Sequence, residues 1–249
     1  MRGYHDESYG DGMADVYDDW YSDISDLATT IASLQRLAAG GRVLELGVGT
    51  GRLAVPLAAT GLEVHGVDTS DAMLATLRRK PGGDAVVAGI GDMVDGLPDG
   101  PFALVFVAYN TLFSLLTAER QRACFKAVAS RLTPDGCFVV EAFVPEVGDR
   151  PTSNVAVRSV HVDRVVLSVN TSDPARQQAE GQYIDISESG GVRLRPWSIR
   201  WSTPAQLDEM ADEAGLELAD RWESFTERSF HPDDERHVSI FRARPPRAE

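Results

Sequence analysis

The chain has 249 residues, enough for one α/β domain with a sizeable core and room for an insertion. Apolar residues make up 43% of it and charged residues 25%, which excludes wholesale disorder. A formal net charge of −14 argues against phosphate-bearing partners, whether DNA, RNA or an anionic membrane, because an acidic chain repels them.

Residues 1–12 are polar and Gly-rich and suggest a mobile arm without the apolar core of a signal peptide. Val16, Trp20, Ile24, Leu27, Ile31, Leu34 and Leu37 recur at three- and four-residue steps, which predicts one helix over 13–38, stopped by Gly40-Gly41. Residues 1–40 therefore form a helical cap, and strand and helix alternate from 41 to 150. Arg42–Leu46 is a short strand, followed by a helix from Arg52 to about Thr60 and a second strand over 62–67 that ends on Asp68. Ser70 or Asp71 caps the next helix, which stops near Lys80 before Pro81-Gly82-Gly83. Ala85–Ala88 is a third strand, and Phe102–Val107 is an unbroken apolar run of the kind a central parallel strand needs. A helix over about 117–131 and a strand over Cys137–Ala142 follow, with Cys124 and Cys137 expected as small buried hydrophobes in a reduced, cytoplasmic protein.

Five alternations require parallel βαβ units with right-handed crossovers and a ligand crevice at the carboxyl ends of the strands. After Pro145 the rhythm changes. Segments near 154–161, 163–170, 182–187 and 192–201 alternate polar and apolar residues, which predicts an antiparallel insert of three or four strands within 151–202. Thr203-Pro204 opens a helix that runs to Ala214, and Leu216–Phe225 and His237–Arg242 finish the segment 203–249 as strands. The expected fold is a single α/β domain: a doubly wound, mostly parallel, seven-stranded sheet with an antiparallel β insert between the fifth strand and the last helix. No stretch approaches the length of a membrane span.

The chemistry concentrates at Glu45-Leu46-Gly47-Val48-Gly49-Thr50-Gly51-Arg52 together with Asp68. Glycines spaced by two let the backbone turn tightly and approach a ligand, the following helix aims its amides there, and an acid closing the next strand can grip two ribose hydroxyls. In the dinucleotide fingerprint the third glycine lies one position deeper in the helix.

The pattern E-x-G-x-G-x-G resembles motif I of the class I S-adenosylmethionine (SAM)-dependent methyltransferases. The resemblance covers roughly residues 13–144 and 203–243, and it implies a Rossmann-like methyltransferase fold with SAM as cofactor. It implies that Glu45, Gly47, Gly49, Gly51 and Asp68 belong to the cofactor site, with Thr69 and Met73 just beyond the ribose-binding acid. Gly91-Asp92-Met93 resembles the adenine-binding segment, with Asp92 toward the exocyclic amine and Met93 on the ring. Val107-Ala108-Tyr109-Asn110 matches the stretch that lines the methionine portion. Val16-Tyr17-Asp18-Asp19-Trp20-Tyr21 resembles the N-terminal signature of enzymes that methylate small molecules, among them amino-sugar and lincosamide-type N-methyltransferases; by that likeness Tyr17 and Tyr21 are cofactor ligands and Tyr9 a lid residue. The same i, i+4 spacing also suits a buried stripe. Arg52 is either a partner of the cofactor carboxylate or a surface arginine.

Methyl transfer needs alignment and exclusion of water but no metal. A hydroxyl acceptor gains from a general base, whereas an amine needs only its lone pair oriented. The candidates on the acceptor side are Tyr109, Asn110 and Phe113 after the fourth strand, Glu141 in the fifth, and His161, His231 and His237 downstream. Trp197 and Trp201 either help the insert roof the acceptor pocket or pack inward on its sheet. The expected activity is N- or O-methylation of a small-molecule acceptor, with a catalytically inactive or non-methylating SAM-binding protein of the same fold and a nicotinamide oxidoreductase as rivals. No nucleic-acid or membrane partner is expected, and the oligomeric state is open, a homodimer included.

Overall fold

The computed structural model describes residues 1–146 and 148–244; Val147 and residues 245–249, the last of the closing segment, lie outside the described residues. Three short helices open the chain: α1 (Ser8–Met13), α2 (Tyr17–Trp20) and α3 (Leu27–Ala38). Two expectations are corrected here. The arm over 1–12 carries α1, whose Gly10 and Met13 are buried. The single helix over 13–38 is broken at Tyr21–Asp26, because Asp26 turns extended and caps α3 through its carboxylate on the Thr29 amide, 3.1 Å away.

The alternating region forms β1 (Val43–Leu46), α4 (Ala54–Ala58), β2 (Val64–Asp68), α5 (Asp71–Arg79), β3 (Val86–Ile90), β4 (Phe102–Val107), α6 (Ala118–Ala129) and β5 (Leu132–Phe143). Ser70 and Thr117 cap α5 and α6 through their hydroxyls. Four antiparallel strands follow, β6 (Thr152–Val160), β7 (Arg164–Asp173), β8 (Gln178–Ser187) and β9 (Gly191–Arg200). Helix α7 (Pro204–Glu213) starts from a full capping box between Thr203 and Gln206, and β10 (Leu216–Trp222) and β11 (Arg236–Ala243) end the described chain.

The large sheet has the order β10-β11-β5-β4-β1-β2-β3, with β1 to β5 parallel and β11 antiparallel to both neighbours. Its two faces are covered by separate apolar clusters, one around Phe113, Phe125, Phe138 and Phe241, the other around Leu34, Leu57, Leu74 and Phe106. Both cysteines are buried and free. Burial on both faces explains why these strands appear in the sequence as unbroken apolar runs.

The four-stranded sheet is tied to the rest by polar groups. Arg195, 2% exposed, bonds Asp185 at 3.0 Å, Asp15 at 2.6 Å and the Gly12 carbonyl at 2.5 Å, joining β9 to α1 and the turn after it. At the other end of β9, Arg200 donates to Gln121 of α6 at 3.0 Å, to Ser202 at 2.7 Å and to Gln177 at 2.9 Å. Gln121 also donates to the Arg200 carbonyl at 2.6 Å, so this buried cluster has its polar groups matched. Among the described residues, no helix is long and apolar enough to cross a membrane.

Candidate active site

A cavity of about 540 Å³ opens at the carboxyl ends of the parallel strands, between the large sheet, the N-terminal helices and the inner face of the four-stranded sheet. One wall is made by backbone. Gly47 and Gly49 follow β1 with φ of +68° and +54°, a region L side chains rarely adopt. A Cβ on Gly47 would run into the methyl of Thr111, so this position excludes a side chain on two grounds. Asp68 ends β2 in the same wall. Its Oδ2 accepts from the Gly49 amide at 2.8 Å and its Oδ1 from the Ser70 amide at 2.9 Å, which fixes the carboxylate while burial pushes its pKa up. Thr69 and Met73 extend the wall beyond it.

Gly91, Asp92 and Met93 continue it after β3. Asp92 Oδ1 accepts from the Val94 amide at 2.7 Å and from Arg120 at 2.6 Å. After β4, Tyr109 and Asn110 have φ of +48° and +68° and form a type I′ turn closed by Thr111 N donating to Ala108 O at 3.1 Å. Strand β5 holds that turn: Glu141 Oε2 accepts from Tyr109 N at 2.9 Å, and Asn110 Oδ1 accepts from Phe143 N at 2.7 Å.

The opposite wall is built from side chains. Tyr17 and Tyr21 lie 4.7 Å apart between ring centroids, Tyr9 OH donates to Tyr21 OH at 3.3 Å, and Tyr21 meets Tyr109 edge-on at 5.7 Å. The four-stranded sheet adds Arg158, Tyr183, Trp197, Ser198 and Ile199. The Arg158 guanidinium lies 5.1 Å from the Tyr21 ring and 5.0 Å from the Tyr183 ring. Burial raises the phenol pKa of Tyr9, Tyr21, Tyr109 and Tyr183, and pushes Tyr17 up to about 12 although Arg52 beside it pulls the other way.

The structure thus gathers Tyr9, Tyr17, Tyr21, Gly47, Gly49, Asp68, Thr69, Met73, Asp92, Met93, Tyr109 and Asn110 around one cavity. Other expected residues lie off its surface. Gly51 packs against Leu77 and Val55, and the Val107 side chain is buried in the core. Arg52 donates to Ser25 at 3.1 Å and flanks Tyr17 from behind. Glu45 is buried under the glycine turn, where burial raises its carboxyl to about 8 and Oε2 has no hydrogen-bond partner. Glu141 supports the Tyr109 backbone instead of facing the cavity, for its place in β5 points it at the turn.

The histidines are a correction. His161 is exposed in the turn between β6 and β7, because its backbone closes that hairpin on Arg164. His231 is exposed in the loop before β11. His237 is buried with Nδ1 2.8 Å from Ser239 Oγ, and burial, aided by Arg221, holds its imidazole down to about 3. Phe113 and Trp201 belong to the core, whereas Trp197 lines the cavity. Sequence reasoning missed Tyr4, Arg120, Phe143, Arg158 and Tyr183. Tyr183 had a usable signal, an aromatic at the inward phase of an alternating strand. Arg120 had none, since its partner Asp92 lies 28 residues away.

An adenosyl cofactor fits these groups. The glycine turn leaves room where a Cβ would close it, and Asp68 is held at the strand end by two backbone amides. Among the described residues no group of three or more His, Cys, Asp or Glu side chains is placed to hold a metal.

Comparison with known proteins bears on the same residues. A family model for a methyltransferase domain matches residues 43–136, the stretch from β1 into β5. Cypemycin N-terminal methyltransferase from a Streptomyces species is 31% identical over 218 residues, covering 84% of this chain and 87% of the relative. The CcbJ methyltransferase from Streptomyces caelestis superposes with a TM-score of 0.88 at 39% identity, over 97% of this chain and 100% of that one. The sugar N-methyltransferase KedS8 from a Streptoalloteichus species, at 20% identity and a TM-score of 0.69, over 98% of this chain and 99% of that one, shares the fold.

Proposed function

The chain belongs to the SAM-dependent methyltransferases, and from that premise we propose that it methylates the nitrogen of a small-molecule amine. Bound SAM supplies a methyl group on a sulfonium, open to in-line displacement. Gly47, Gly49 and Asp68 hold the nucleoside end, with Asp92 and Met93 at the base. Tyr17, backed by Arg52, and the Tyr109-Asn110 turn bound the amino-acid end. Tyr9, Tyr21, Tyr183, Trp197 and Arg158 enclose the acceptor and keep water out.

One observation carries the choice of nitrogen. The acceptor side carries the phenol hydroxyls of Tyr9, Tyr21 and Tyr183, whose pKa values burial raises, and the Arg158 guanidinium, while Asp6 and Ser198 also line the cavity. Such phenols stay protonated and cannot strip a proton from an alcohol, yet they can orient the lone pair of an amine. The relative that methylates an N-terminus by name supports the same reading. The test is to incubate the protein with methyl-labelled SAM and a metabolite extract and to assign the labelled carbon by NMR. Product methylated on nitrogen is expected; label found only on oxygen or sulfur overturns the assignment.

A further inference from the structure

Three arginines of the four-stranded sheet gather around the indole of Trp20. The guanidinium carbons of Arg158, Arg195 and Arg164 lie 4.8, 5.4 and 5.7 Å from its ring centroid. Two of the three are answered by carboxylates of the protein: Arg164 and Arg195 both bind Asp185, and Arg195 binds Asp15 as well. Arg158 has no such partner. Among the described residues no carboxylate lies within ion-pair distance of it, and its hydrogen bond to the Trp20 carbonyl is long, at 3.3 Å. The chain carries 38 acidic side chains against 24 lysines and arginines, yet places none of them beside this cation.

Arg158 also lines the cavity, its guanidinium 5.1 Å from the Tyr21 ring and 5.0 Å from the Tyr183 ring. Contact with three rings fixes the planar fork, while the residue stays exposed and within reach of a ligand. Tyr183 is in turn the neighbour of Trp197, with ring centroids 6.4 Å apart. The Trp197 indole lies against the β8 backbone at Gly181, where a Cβ would come within 2.7 Å of the ring. Its Nε1 is buried and has no hydrogen-bond partner in the protein. An indole N–H can only donate, so the cavity offers a second unanswered donor beside the same tyrosine. The other charged groups of the cavity lie elsewhere. Arg120 is bound by Asp92 at 2.6 Å and by Asp95 at 2.7 Å, Asp68 is held by two amides, and the Asp6 carbonyl ties its segment to Thr69 at 3.1 Å.

Taking the side-chain wall as the acceptor side, as the proposed function does, we propose that Arg158 and Trp197 form an anion subsite and that the methyl acceptor is an amine bearing a carboxylate or phosphate group. An oxygen-bearing anion satisfies both donors at once, two of its lone pairs meeting the guanidinium fork and another the indole N–H. A neutral acceptor leaves Arg158 unpaired, and a cationic one is repelled by it. Tyr21 fixes the scale. Its ring lies 5.1 Å from the guanidinium, 4.7 Å from the Tyr17 ring and 5.7 Å from the Tyr109 ring, and the last two residues bound the amino-acid end of the cofactor. The anionic group therefore sits within a few bonds of the reacting nitrogen, as in an amino acid or a small phosphorylated amine.

Calorimetric titration of the protein saturated with S-adenosylhomocysteine tests this, with benzoate and phenyl phosphate as probes and benzamide as the neutral control. Saturation fills the subsite for the cofactor's own carboxylate, so a probe anion reports on the acceptor end. At least one anion should bind, benzoate marking a carboxylate subsite and phenyl phosphate a phosphate subsite, with benzamide about tenfold weaker. Arg158→Gln should weaken the anion about tenfold, and Trp197→Phe, which keeps a ring and removes the donor, roughly threefold. Both variants should hold S-adenosylhomocysteine within about twofold of the wild type, a readout that a merely structural role would move. Should Arg158→Gln fail to fold, Arg158→Lys decides, since it keeps the charge but loses the fork and should also bind the anion more weakly. The proposal is overturned if neither anion binds the wild type, if benzamide binds as well, if the Arg158 variants leave the affinity unchanged, or if the anion displaces S-adenosylhomocysteine. No turnover is needed, so the result is separate from the labelling test: label on oxygen alone, with anion binding intact, overturns the choice of nitrogen and leaves the subsite standing.

Discussion

The two walls of the cavity are built by different means. The wall at the strand ends is backbone: left-handed turns at Gly47 and Gly49, the Tyr109-Asn110 turn, and Asp68 held by two amides. The facing wall consists of large side chains contributed by α1, α2, β6, β8 and β9, held by aromatic contacts and a long-range ion cluster. A backbone wall tolerates few substitutions and recognises what every donor molecule shares. A side-chain wall can be exchanged residue by residue, and the proposed acceptor contacts lie on it.

Four experiments would break or sharpen that contrast. The largest effect is expected for Gly47→Ala, which combines an unfavourable φ with a collision at Thr111. About 3 kcal/mol of strain should weaken S-adenosylhomocysteine binding roughly 100-fold in calorimetry. Next comes Asp68→Ala, which removes an acceptor of charge-assisted bonds; a loss of about 2 kcal/mol, roughly thirtyfold in cofactor affinity, is expected. On the other wall, Tyr183→Ala should raise the acceptor KM roughly tenfold, as about 1.4 kcal/mol of apolar contact is lost, and leave S-adenosylhomocysteine affinity within about twofold. Equal losses of cofactor affinity for Tyr183→Ala and Asp68→Ala would erase the distinction between the walls.

The smallest effect concerns Glu45 and pH. Its folded pKa of about 8 lies above the ordinary carboxyl value, so the folded cofactor-free protein holds a proton that the unfolded chain has released. Stability should therefore fall as pH rises from about 4.5 to about 8, and Glu45→Gln should remove that part of the slope. At pH 8.5 the variant should melt higher than the wild type, and the gap between the two should close as the pH is lowered toward about 4.5. A Tm–pH curve unchanged by the substitution would mean Glu45 is ionised in the fold.

The backbone wall was legible in the sequence because its signals are local. Three glycines at fixed spacing, an acid at the end of the next strand and an apolar run for β4 each lie within one element, and the fold followed from their alternation. The side-chain wall was half legible. Tyr17 and Tyr21 came from a local signature and Trp197 from strand alternation, but Arg158 reaches Tyr21 only because β6 folds back on α2. No local pattern predicts that approach. The histidines were named for their chemistry, and nothing in sequence tells a hairpin turn such as His161 from a pocket wall. The apparent single helix over 13–38 reflects the same limit: its apolar repeat continues across a break made by Asp26, whose capping preference outweighs the pattern.

The buried cluster of Arg200, Gln121, Ser202 and Gln177 has a practical consequence for engineering. A chimera that takes only residues 151–202 from a relative would bring a new neighbour to Gln121, which sits in α6 outside the graft. Mismatched, the amide and guanidinium would be left without partners in a dry interior at about 1–3 kcal/mol per group. Recombining acceptor preferences across this family should therefore move α6 together with the grafted strands, or screen position 121 in the same library.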